Sequence, residues 1–465
     1  MKPHRDRLVA TISIAQAPGQ GKHDPMDMFD EMQGQNGQIR GPYAKFDAWL
    51  SEEDAARLRA KSREAEDLFR LTGITFNVYG RSEAEERLIP FDIIPRIISG
   101  REWQRLERGI EQRVRAINAF LHDIYHRQEI LRAGRVPQEM IANNVAFLPQ
   151  MIGMMPPGGV YTHITGIDLV RTGPDDFFVL EDNARTPSGV SYMLENRETM
   201  LRMFPELFSR NQVRPVSDYP RNLRRSLAAS APAACGGTPT VAVLTPGIYN
   251  SAYYEHAFLA DVLYRRVDDD FLDPLNFNPE SALGVPGIMD VYRAGGITIA
   301  NAPGTGISDD KAIYSYMPEI VEFYTGERPI LQNVPTWRCN EKASLDYVLA
   351  HLSELVVKEV HGSGGYGMLI GPAASKKELK EFERKLRARP GNYIAQPTLS
   401  LSTVPVFTKS GLAPRHVDLR PFVLMSPEGI NVTPGGLTRV AMKKGSLVVN
   451  SSQGGGTKDT WVLED

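Results

Sequence analysis

Apolar residues recur along this chain with two different periods, and the change from one to the other divides it. Over residues 51–73, SEEDAARLRAKSREAEDLFRLTG spaces them as a helix does, behind acidic first-turn residues and before a glycine. Ser51 is the expected N-cap and Gly73 the stop. Phe76, Val78 and Tyr79 then read as a short strand. A longer amphipathic helix is predicted over residues 99–133, with Leu106, Ile110, Val114, Ile117 and Leu121 on one face.

From Val160 the period falls to two. VYTHITGIDLVR and FFVLEDNA read as strands on either side of TGPDD, a turn signal. Helices follow around residues 193–208 and over RPVSDYPRNLRRSL, and then a small-residue linker. TPTVAVLTPG, VLYRRVDDDF and GGITIANAPG read as strands separated by helices, which predicts a mostly parallel sheet there. LVVKEV, NYIAQPTL, HVDLRPFVLM and SLVVNSS repeat the strand pattern in the last third. The expected class is α/β. Residues 1–42, rich in Gly, Gln, Met and Asp, read as a flexible arm or a surface-wrapping segment. SSQGGGTKDTW reads as a second flexible stretch, either a lid or a surface loop.

A length of 465 residues argues for two or three domains. A net charge of -3 gives no bulk reason to expect nucleic acid or an anionic membrane as a partner. Two cysteines, Cys235 and Cys339, cannot make a disulfide framework or a Cys-rich zinc site. No stretch approaches the ~20 apolar residues of a membrane span, so the expected location is cytoplasmic.

The first chemical signal is the acidic hairpin. If its turn lies at Pro174–Asp175, Asp168 and Glu181 stand opposite each other and share a face with Asn183. Two carboxylates and an amide oxygen form a hard site suited to Mg²⁺ bridging phosphates. A solvated sheet face is the alternative, but opposed like charges ask for a cation. Asp182 has the wrong parity and points away. The second signal is LVVKEVHGSGGYG, where Lys358 on a strand precedes Gly362, Ser363, Gly364, Gly365, Tyr366 and Gly367. Glycines let backbone N–H groups crowd a phosphate while the lysine offsets its charge. A plain hairpin turn is the competing reading, and His361 reads as a loop hydrogen-bonder. The acidic run Asp268, Asp269 and Asp270 reads as a helix-capping turn or an amine-binding patch. Asp418 and Arg420 share a strand face, as an ion pair or with Arg420 reaching a triphosphate.

Together these segments resemble the circularly permuted ATP-grasp family (type 2), the group related to glutathionylspermidine synthase. The resemblance covers roughly residues 75–465. Its motif order places the acidic hairpin before the lysine and glycine loop, where a conventional ATP-grasp protein has its metal ligands last. It implies Asp168, Glu181 and Asn183 as Mg²⁺ ligands, with Lys311, Lys358 and the 362–367 loop on the nucleotide phosphates. Gln396 would sit at the adenine. Together with the composition and periodicity, it divides the chain into five expected regions: a flexible arm (1–42), a mainly helical region (43–150), a metal-binding hairpin (151–225), a Rossmann-like substrate-side subdomain (226–310) and a nucleotide-binding part (311–465). The implied activity is ATP-dependent joining of a carboxylate to an amine through an acyl phosphate. Its substrates would be small molecules or peptides; a homodimer is an expectation that no motif fixes. Two features depart from the pattern. The family's arginine two residues before the metal aspartate is Gly166 here, which leaves Arg185 or Arg420 to supply its contact. The segment HAFLADVLYRRVDDD is also short by a strand and turn. A nucleotide-binding or regulatory protein without ligase chemistry is the alternative. No HRD or DFG string supports a kinase.

Overall fold

The computed structural model describes residues 28–34, 37–78, 85–245, 265–362, 367–450 and 454–464. Two β-sheets supply the walls of a central cavity. The larger runs in the order Gly429–Val432, Phe422–Ser426, Ile164–Arg171, Gly411–Arg420, Leu437–Val440, Gly456–Val462 and Phe91–Ile98. Thr403–Thr408 also pairs with Gly411–Arg420, and Phe177–Asn183 also pairs with Ile164–Arg171. The smaller sheet runs Trp337–Arg338, Tyr393–Pro397, Leu355–Glu359 and Leu369–Ile370.

The α/β class holds. Named strands pair antiparallel except Phe91–Ile98 with Gly456–Val462 and Phe177–Asn183 with Gln332–Asn333. Across the region expected to be parallel, the described residues give an isolated parallel bridge between Leu244 and Arg265. Residues 246–264, which include the segment read as short, lie outside the described part.

The helix Gly100–Ile124 explains how the hairpin is held. Ser99 caps it reciprocally with Glu102, as a serine three residues before a glutamate can. Its apolar stripe of Trp103, Leu106, Ile110 and Val114 packs on Ile167, Leu169 and Val179. Period two along the strand therefore sends Ile167 and Leu169 into that core and Asp168 and Val170 to the other face. The predicted continuation to residue 133 is broken after Ile124, and Glu129–Arg132 forms a separate turn of helix.

Other sequence expectations are corrected. Ser51 lies inside a helix, Ala44–Glu52; Asp54 caps the next one, Ala55–Thr72, which ends on Gly73 at φ 72° as expected. SLVVNSS forms no strand over its described residues. TKDTW is neither lid nor surface loop, because Gly456–Val462 is a wholly buried strand. Its polar residues hid this: Lys458 pairs with Asp92 at 2.7 Å, and Asp459 with Arg197 at 2.8 Å. Residues 28–34 and 37–42 of the arm are held against the sheet, with Phe29, Glu31 and Met32 buried.

Candidate active site

Asp168 stands opposite Glu181, and Gly166 opposite Asn183. The expected pairing is reached by an unexpected route. Arg171 pairs with Phe177 and Leu169 with Val179, so Leu180 is an extra residue, a bulge, before the Asp168–Glu181 pair. As a result Leu180 and Glu181 both line the cavity. Asp182 points away, as its parity requires, where Arg113 Nε and Nη2 each donate to it at 2.6 Å.

The cavity, about 160 Å³, has two ends of different chemistry. One is apolar, formed by Val170, Val334, Leu399, Leu401 and Leu447. The other carries Asp168, Glu181, Lys311, Lys358, Asp418 and Arg439. Gln396 is also in the wall, buried, with its Nε2 donating to Thr336 Oγ1 at 3.0 Å.

Asp168 is buried and held by two guanidiniums. Arg420 donates through Nε and Nη2 to its two oxygens, and Arg439 Nη2 donates to Oδ2 at 2.6 Å. Burial works to raise its pKa, yet Arg420 and then Arg439 hold it well below the usual carboxylate range. The Asp418–Arg420 ion pair is not formed; Arg439 Nε donates to Asp418 Oδ1 at 2.9 Å instead. Gly166 has its own use here, since a Cβ there would lie 3.2 Å from Arg420 Cδ. The stem of Arg420 thus crosses the position where the family places an arginine.

Lys311 opens the short helix Lys311–Tyr314, whose N-cap Asp310 accepts from the Ala312 and Ile313 amides. Its Nζ donates to the carbonyl of Gly362 and lies 3.7 Å from Glu181 Oε2. Burial pushes the Lys358 ammonium down to about 8; Glu181 and Asp168 oppose this and Lys311 adds to it. His361 Nδ1 lies 2.9 Å from Asp310 Oδ2 at the start of the glycine loop. Ser363, Gly364, Gly365 and Tyr366 lie outside the described residues. Gly367 has φ 69°, the left-handed region that favours glycine.

Arg185 does not line the cavity. Its stem packs over Gly306, and its Nε lies 3.5 Å from Asp268 and 4.0 Å from Asp309. Asp309 accepts from the amides of Ala184 and Arg185 at 2.6 and 3.2 Å. Burial pushes Asp309 up to about 7 against the pull of Arg185. Asp269 is committed to Arg265 at 2.7 Å.

Does this set fit Mg²⁺? Among the described residues no three His, Cys, Asp or Glu side chains converge as a ready metal site. Arg420 and Arg439 already offset the charge of Asp168, so carboxylate repulsion alone no longer argues for a metal. Glu181 remains partly exposed to the cavity, and the Asn183 amide has a buried nitrogen without a partner among the described residues. Rotating that amide exchanges nitrogen for oxygen. Mg²⁺ is commonly held by one or two carboxylates plus substrate phosphates, and Glu181 with Asn183 fits that mode. Sequence reading missed Arg439, Asp418 as its holder, and Asp309. The TRV alternation around Arg439 shows a strand, but nothing local shows which carboxylates it meets.

A profile described as "Circularly permuted ATP-grasp type 2" matches residues 260–441, and one described as "A circularly permuted ATPgrasp" matches residues 95–262. A protein of Synechocystis sp. is 48% identical over 473 residues, spanning 95% of this chain and 98% of the relative. A Frankia alni protein bearing the provisional name of a glutamate–cysteine ligase is 41% identical over 469 residues. This chain covers 54% of that protein's length. The solved structure of a glutathione synthetase-like effector from Globodera pallida superposes with a TM-score of 0.53 at 11% identity, over 88% of this chain and 98% of that one. At that identity the likeness concerns the fold. The two profiles meet at residues 260–262 and together span the hairpin, lysine and arginine strands just described, and this chain belongs to the circularly permuted ATP-grasp family.

Proposed function

We propose that the protein is an ATP-dependent carboxylate–amine ligase that works through an acyl phosphate. The observation that carries this reading is the two-ended cavity, with an apolar slot at one end and paired lysines facing the Asp168–Glu181 hairpin at the other. The slot suits an adenine, with Gln396 at its wall. Lys311 and Lys358 suit the phosphates, with Lys311 next to Gly362, where the glycine-rich stretch begins. Glu181 and Asn183 would hold Mg²⁺, which on binding would offset the charge of the transferring phosphoryl group.

In the first step a substrate carboxylate oxygen attacks the γ-phosphorus and ADP leaves. In the second an amine attacks the acyl carbon and phosphate leaves. The protein's part is positioning and charge neutralisation. Arg185, two residues beyond Asn183 and flanked by Asp268 and Asp309, is the proposed contact on the acceptor side. Arg420 would anchor Asp168 between the two sides. The name of the Frankia relative makes glutamate and cysteine the first substrates to try.

The test is ADP release by the full chain with Mg-ATP, first with glutamate and cysteine and then with wider sets of acids and amines. Thermal stability is followed in parallel, since ATP at about 100-fold over Kd stabilises by ~2.7 kcal/mol. ADP release that needs both an acid and an amine supports the ligase. A second reading, nucleotide binding without ligation, draws on the capture of both Asp168 oxygens by arginines. A melting shift with no ADP release across the sets selects it. Absence of both a melting shift and ADP release sinks both readings.

A further inference from the structure

The amide of Gln396 has a defined orientation, and a hydroxyl behind the cavity wall sets it. Along the strand Tyr393–Pro397, period two sends Ala395 into the core of the smaller sheet with Leu355 and Val357, and Gln396 to the cavity with Val356. Gln396 is only 2% exposed, so each polar atom of its amide needs a partner or costs free energy. One bond is made: Nε2 donates to Thr336 Oγ1 at 3.0 Å. Thr336 lies just before the strand Trp337–Arg338, which pairs with Tyr393–Pro397, and it does not itself line the cavity.

The direction of that bond follows from counting hydrogens. A threonine hydroxyl has a single one to give. Thr336 Oγ1 donates it to the carbonyl of Val334 at 2.9 Å, and a carbonyl can only accept. Towards Gln396 the same oxygen therefore only accepts, so it takes Nε2 and not Oε1. The amide oxygen is left without a hydrogen-bond partner among the described residues, on a side chain that lines the cavity. Val334 belongs to the apolar end, so the relay from Val334 through Thr336 ties the amide to that end.

A fixed acceptor at the wall of an apolar slot matches a ligand edge that carries an N–H. A 6-amino purine offers such an edge to a glutamine amide. A 6-oxo purine would bring oxygen against oxygen, and the amide could turn to suit it only by breaking the Thr336 bond. We infer that Thr336 is a specificity-determining positioning residue, which holds the Gln396 amide so that the slot takes a 6-amino purine in preference to a 6-oxo one. This assignment rests on the nucleotide reading of the cavity, and adds to it what enforces the choice of base.

Thr336→Val keeps the shape of the side chain and removes the hydroxyl, whereas Thr336→Ser keeps the hydroxyl. Calorimetric titration of the full chain with ATP and with inosine triphosphate, whose base is 6-oxo, each with Mg²⁺, gives the readout. Wild type is expected to prefer ATP by about tenfold or more. Thr336→Val should cut that preference about tenfold, while Thr336→Ser should keep it within about twofold. A merely structural role would lower both affinities together and leave their ratio unchanged in Thr336→Val, and that result overturns the inference. Wild-type protein that binds the two nucleotides equally also overturns it, while leaving the nucleotide site intact. Wild-type protein that binds neither overturns the nucleotide reading as well, and that arm separates the two failures.

Discussion

Two clusters of arginines and carboxylates lie on opposite sides of the strand Gly411–Arg420, and their resemblance makes their difference useful. In the first, Glu31 is fully buried, accepts from Arg96 at 2.6 and 2.9 Å, and takes a third bond from Ser402 Oγ at 2.6 Å. Arg171 adds its charge at 3.6 Å and also reaches Glu102. In the second, Arg439 bridges Asp168 and Asp418, and Arg420 also holds Asp168. One residue touches both clusters: the Asp418 carbonyl accepts from Arg96 Nη1 at 3.1 Å, while its carboxylate holds Arg439. Bonding and burial are alike. What differs is that the Glu31 cluster is closed in by the arm and the sheet, whereas the Asp168 cluster opens on a cavity lined by two lysines. Satisfied buried charge is therefore no sign of function by itself; the opening is.

The largest expected effect breaks the closed cluster. Arg96→Ala leaves Glu31 buried without its bidentate partner, which typically costs ~3–5 kcal/mol. Urea unfolding should show that loss, while nucleotide affinity of the folded protein stays at the wild-type level. The pH dependence has a definite sign. Burial acts to raise the Glu31 pKa, but Arg96 and then Arg171 bring it below its ordinary value. Its stabilising contribution is therefore present above the unfolded pKa and is lost as pH falls through the folded one. If Arg96→Ala weakened ATP binding as much as it weakened folding, the two clusters would not be separable.

Lys358→Ala tests the open cluster and should invert the pattern. A lost charge-assisted bond to phosphate is worth roughly 1.5–3 kcal/mol, or about ten- to a hundredfold in ATP affinity. The unliganded fold should lose little, because burial already disfavours this ammonium. Calorimetry and urea unfolding on the same preparation check both halves. A variant that bound ATP normally would remove Lys358 from the proposed site.

How far the sequence revealed this contrast can be traced residue by residue. Period two and the TGPDD turn placed Asp168 against Glu181 and turned Asp182 away, and the structure agrees on both. Yet that register depends on the bulge at Leu180; the hairpin closes with Arg171 opposite Phe177, one residue off a turn at Pro174–Asp175, and without the bulge that closure would have set Asp168 against Leu180. Local pattern does not announce a bulge. Arg439 was not legible because its partners lie 21 and 271 positions away in sequence, and only the sheet order brings them together. The strand Gly456–Val462 was misread for a related reason. Lys458 and Asp459 look like surface residues until Asp92 and Arg197, supplied from far along the chain, turn them into core.

The smallest effect sharpens the comparison most, because it makes the open cluster respond to pH in two opposite ways. Burial lowers Lys358 to about 8, against ~10.4 for an unhindered lysine. A polyphosphate prefers the protonated amine, so ATP affinity should be full below pH 8 and fall as pH rises through it. The fall cannot exceed tenfold per pH unit, or about 1.4 kcal/mol, for one proton. Stability of the unliganded protein should move the other way. From about pH 8 to ~10.4 the unfolded chain holds this proton more firmly than the folded one, so unfolding free energy rises with pH across that window. Lys358→Arg, whose guanidinium stays charged throughout, should flatten both curves. Affinity and stability profiles that cross in wild type and run level in the arginine variant would tie the response to this one amine. Profiles that fall together in both proteins would point to general alkaline unfolding, and Lys358 would then be no more than a buried cation.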